Sequence, residues 1–108
     1  MNGSEILKSI EKSEIKNFRG IVLRNKFPKE VHENECGIIN KSKHWVCYWK
    51  KGNTKVYFDS FGKKPPKSLF RYLGDNIYYN TKKIQKLDES NCGDLCIEFL
   101  NLLCKFFH

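Results

Sequence analysis

A chain of 108 residues has room for one modest core and hardly two, so a single domain over 1–108 is expected. Its 40% hydrophobic and 14% aromatic content argues against a disordered polymer despite 30% charged residues. The excess of 20 Lys and Arg over 12 Asp and Glu gives a net charge of +8, spread along the whole chain rather than in one block. Such a field attracts polyanions, non-specific DNA among them, and is equally the ordinary means of staying in solution; both readings stay open.

Residues 4–13 place Ile6, Leu7 and Ile10 at helical spacing behind Ser4, read as the N-cap of an amphipathic helix. No apolar leader precedes it, which points to an intracellular rather than secreted protein. The sequons at Asn2 and Asn40 then carry little meaning. Short β-rich runs follow at 18–24 and 36–40, separated by Pro28 and a polar loop containing His32.

The strongest local signal is a hairpin: 43–50 and 55–59 flank a Gly52-Asn53 turn. With those two residues at the tip, opposed positions sum to 105, so Val46 faces Asp59 and His44 lies diagonal to Asp59 on one face. After Phe61-Gly62, Pro65-Pro66 starts a short helix over roughly 66–73, and a strand is expected near 76–80. From Cys92 onward, polar Asp94, Glu98, Asn101 and Lys105 recur at helical spacing on an otherwise apolar segment, which predicts a mostly buried helix. That segment is too short and too interrupted to cross a bilayer.

The chain has five cysteines, at 36, 47, 92, 96 and 104, an odd number with no CxxC pair, which argues against a disulfide framework. Cys92 opens the last helix, where unpaired N–H groups and the positive dipole end stabilise a thiolate. Asn91 reads as its N-cap with Asp94 completing a box-like cap, and Gly93 leaves room for a substrate strand. A thiol nucleophile needs a base, and His44 is the best of three histidines because Asp59 can fix its tautomer. Gln85, seven residues before Cys92, could supply an oxyanion donor. Cys96, one turn further on, lacks free N–H groups and is the weaker nucleophile.

His44-Trp45, Asp59 ahead of Phe61-Gly62, Gln85, and Cys92 within SNCGDLC occur in an order that resembles the adenovirus-type maturation protease (adenain) family, more distantly the proteases of SUMO and ubiquitin-like modifiers. The stretch NKFP...ECGIIN is similar to the segment ahead of that family's His-Trp, so the resemblance runs from about residue 18 onward. It implies an α+β fold, a mixed β-sheet packed on a central helix that begins at Cys92. It also implies a thiol endopeptidase with catalytic His44, Asp59, Gln85 and Cys92, cleaving after small residues in viral or transposon precursor proteins such as capsid proteins. On that reading the protein is a monomer in the host nucleus or cytoplasm or in the virion, with no required cofactor and with DNA or a peptide as a possible activator. The alternatives are a protease specific for a ubiquitin-like modifier and a catalytically inactive module that binds nucleic acid or capsid.

Overall fold

The computed structural model describes residues 1–23, 25–84 and 91–107, arranged as three helices and a five-stranded mixed sheet. In chain order these are α1 (Gly3–Glu11), β1 (Phe18–Leu23), β2 (Asn34–Lys41), β3 (His44–Lys51), β4 (Thr54–Phe58), α2 (Lys67–Leu73), β5 (Ile77–Tyr79) and α3 (Cys92–Phe106). The strands lie side by side in sequence order. β2, β3 and β4 form an antiparallel meander, while β1 on β2 and β5 on β4 are parallel. The fold is therefore α+β, as the sequence reading anticipated.

Alternation along β3 sorts the core into two layers. Trp45, Cys47 and Trp49 face α1 and α3, joining Ile6, Ile10, Cys36, Ile38, Cys96 and Leu100. Val46 and Tyr48 face the other way, onto Leu69 and Leu73 of α2 together with Ile39 and Tyr57. β3 is thus covered on both faces, and this explains its nearly unbroken apolar run. The hairpin tip falls where expected: Lys51 pairs with Thr54 and Cys47 with Phe58.

Two helix ends differ from expectation. α1 is capped by Asn2, not Ser4: the Asn2 side chain accepts from Glu5 N and the Glu5 side chain accepts from Asn2 N, both at 2.9 Å. An Asn-x-x-Glu box satisfies two orphan donors reciprocally, whereas Ser4 has Leu7 at the matching position. α3 is buried along Cys92, Gly93, Cys96 and Leu100 but leaves Leu102, Phe106 and Phe107 exposed, so its second half is less covered than its composition implies.

Glu35, 1% exposed, is the charged centre of the α2 side. Its carboxylate accepts from Arg19 Nη1 at 3.0 Å, His32 N at 2.7 Å, Tyr48 OH at 2.6 Å and Tyr72 OH at 2.8 Å. Burial, then the hydrogen bond to Glu35, pushes both tyrosine hydroxyls above their ordinary range, so they stay donors. Glu35→Gln places an amide donor against these donors and removes the counter-charge of Arg19. A loss of roughly 2–4 kcal/mol in folding stability is expected by urea denaturation, and a change under ~0.5 kcal/mol would show the network to be dispensable.

Candidate active site

The hairpin register, last paired at Cys47 with Phe58, leaves Asp59 just past the end of β4 and His44 at the start of β3, at the same end of the sheet. His44 Nε2 lies 2.7 Å from Asp59 Oδ1, with the Asp59 side chain 1% and the His44 side chain 14% exposed. The imidazole is therefore the accessible member of a nearly sealed pair. Since Nε2 is committed to the carboxylate, Nδ1 is the nitrogen left to exchange a proton.

Three further residues, Phe61, Lys83 and Asn80, surround this pair, and none of their contacts is apparent in the sequence. Phe61 N donates to the same Asp59 Oδ1 at 2.8 Å, and the Phe61 ring stacks on the imidazole with centroids 3.9 Å apart and planes 9° from parallel. One residue thus sets both the carboxylate rotamer and the plane of the ring. Lys83 Nζ lies over the same phenyl ring, 5.2 Å from its centroid. Asn80, just past β5, brackets the Asp59 backbone: its Nδ2 donates to Asp59 O at 2.6 Å and its Oδ1 accepts from Asp59 N at 3.2 Å.

Gly62 closes this loop with φ +72°, and a Cβ there would stand 2.7 Å from Thr81 O and 2.8 Å from Lys82 C. Both the conformation and the space require glycine. The 60–62 segment therefore rests directly on 81–84, where Ile84 N also donates to Ser60 O at 2.7 Å.

Cys92 is the first residue of α3 and is 5% exposed, in the same core layer as Trp45 and Cys96. Trp45 follows His44 in the chain and its ring lies against the next helical residue: a Cβ on Gly93 would be 3.4 Å from Trp45 Cδ1 and 3.1 Å from Met1 Sδ. The indole N–H of Trp45 donates to Met1 O at 3.0 Å. Trp45 thus ties the histidine strand to the start of α3, and with Met1 it fills the space beside Gly93 that the sequence reading expected to be open to a substrate strand. Among the described residues no hydrogen bond joins the Cys92 thiol to His44; the link between them runs through Trp45, which follows His44 and lies against Gly93. Gln85 lies outside the described residues.

The expected cap at Asn91 is not formed. With φ −108° and ψ 15° the residue is not extended, so its side chain does not turn back to the first helical turn and makes no capping bond. Asn91 Oδ1 and Asp59 Oδ2 are both buried without a hydrogen-bond partner among the described residues. The first-turn amides of α3 are left uncapped by the side chain best placed to take them.

Among the described residues no group of three or more His, Cys, Asp or Glu is placed to hold a metal ion, and no helix is long and apolar enough to span a membrane. Neither a protein-family model nor a curated protein matches this chain.

Proposed function

We propose that this protein is a cysteine endopeptidase in which Cys92 attacks the scissile carbonyl and His44, oriented by Asp59, carries the proton. The reading is supported above all by the 2.7 Å bond between His44 Nε2 and a buried Asp59 carboxylate at the sheet end beside the start of α3. A histidine held through Nε2 presents Nδ1 as base, and a carboxylate behind it stabilises the imidazolium that follows proton uptake.

In the first step Nδ1 of His44 takes the thiol proton of Cys92, and the sulfur attacks the peptide carbon. The oxyanion that forms is met by the amide N–H of Cys92 and its neighbours at the uncapped helix start, with the Gln85 side chain as the expected second donor. The imidazolium then protonates the leaving amine and an acyl-enzyme remains. Water, deprotonated by the same Nδ1, releases the product acid. The apo geometry, with thiol and imidazole not yet bonded, is compatible with this sequence because such contacts commonly tighten only around substrate.

The order of His44-Trp45, Asp59, Gln85 and Cys92 supports an adenain-like enzyme acting after small residues in a viral or transposon precursor protein. The test is incubation of the purified protein with an unbiased peptide library and mass-spectrometric mapping of new termini. Cleavage enriched after glycine or alanine and lost on thiol blocking is expected. Turnover confined to the C-terminal tail of ubiquitin-like modifiers would move the substrate to that class, and no cleavage of either would remove the hydrolytic reading.

A further inference from the structure

Two cysteine pairs straddle the contact between the sheet and α3. In the inner pair, Cys47 on β3 donates to Cys96 O at 3.9 Å and Cys96 donates to Trp45 O at 3.4 Å. Both are 0% exposed, out of reach of an oxidant in the folded state. In the outer pair, Cys36 on β2 and Cys104 on α3 direct their sulfurs at one carbonyl, Lys16 O, at 3.4 and 4.0 Å. Sharing one acceptor brings the two sulfurs into one neighbourhood, and Cys104 is among the groups that raise the Cys36 thiol.

The outer pair has access as well as proximity. Cys104 is half-buried and lines a cavity of about 270 Å³ with Lys16, Trp49, Lys51 and Phe107, while Cys36 lies behind it in the core. We propose that Cys36 and Cys104 are a reversible disulfide site, closed by hydrogen peroxide and reopened by small thiols.

The asymmetry of the pair sets the order of events. Burial and the neighbouring Cys104 hold the Cys36 thiol protonated, so the more accessible Cys104 reacts first. Its sulfur attacks peroxide, the O–O bond breaks, and one water leaves as a sulfenic acid forms. The Cys36 sulfur then displaces the hydroxyl with its own proton as a second water. In sum two thiols lose two hydrogens and one peroxide becomes two waters. A dithiol such as dithiothreitol reverses the bond by exchange and is itself oxidised.

The bond would fasten the last turns of α3 to β2. Cys92, twelve residues back along the helix, lies roughly 18 Å away, so the effect falls on helix anchoring and not on that thiol. Closing so long a loop restricts the unfolded chain, and a rise in Tm of roughly 10 °C is expected.

The experiment treats the Cys92→Ser protein with a small excess of peroxide, then unfolds it in iodoacetamide and maps the peptides. A mass loss of about 2 Da, a Cys36–Cys104 cross-link and a higher Tm, all reversed by dithiothreitol and absent in Cys104→Ser, are expected. Recovery of alkylated Cys36, with Cys104 carrying its own oxygen or linked to a second chain, would overturn the assignment.

Discussion

Replacing Cys92 with alanine is expected to remove peptide hydrolysis by at least ~10⁴-fold in kcat/KM while changing Tm by only a few degrees. The side chain removed is small, so packing loses little. Cys96→Ala gives the opposite pattern. That sulfur is 0% exposed and donates to Trp45 O, so its loss costs about 1–2 kcal/mol of stability, yet rate falls by no more than a few-fold. Measured side by side, kinetics and melting separate the two cysteines. An inactive Cys96→Ala protein that melts normally, together with an active Cys92→Ala protein, would reverse the assignment.

The second large effect falls on Asp59, and the geometry distinguishes two substitutions. Asp59 Oδ1 accepts from both His44 Nε2 and Phe61 N, whereas Oδ2 has no partner among the described residues. In Asp59→Asn the amide oxygen can keep both of those bonds and place its NH₂ at the unpartnered position. The imidazole then keeps its orientation but loses the counter-charge of its protonated form, and kcat is expected to fall roughly 10–100-fold with KM little changed. Asp59→Ala removes orientation and charge together and is expected to cost ~10³-fold or more. If the two variants were equally slow, the charge of Asp59 rather than its hold on the imidazole would be what governs the rate. If neither were slow, His44 would not be the base.

The residues legible in sequence were those governed by local rules. The Gly52-Asn53 tip fixed the register of β3 on β4, and the register alone placed His44 within reach of Asp59. The apolar run behind Cys92 located α3 to the residue. Cap chemistry was read less well: Asn2 and Glu5 compete with Ser4 for one helix start, and Asn91 has the composition of a cap without the backbone conformation of one. What local patterns could not supply was long-range. Nothing near Phe61 or Asn80 announces that they hold the histidine and its carboxylate: Phe61 is seventeen residues from His44 and Asn80 twenty-one from Asp59, and Asn80 comes alongside only through the crossover from β4 to β5. The parallel pairing of β1 with β2 and the convergence of Arg19, Tyr48 and Tyr72 on Glu35 depend likewise on topology.

These positions leave the coupling of thiol and imidazole as the point on which the hydrolytic reading turns. It is measured by the rate at which iodoacetamide alkylates Cys92 between pH 5 and 9, followed by peptide mass, in the unaltered protein and in His44→Ala. A nucleophile poised by His44 reacts at neutral pH at least ~10-fold faster than a free cysteine peptide, and loses that advantage in His44→Ala. Equal rates in the two proteins, both at or below that of the peptide, would mean that Cys92 is a packing residue and that the His44–Asp59 pair serves another purpose.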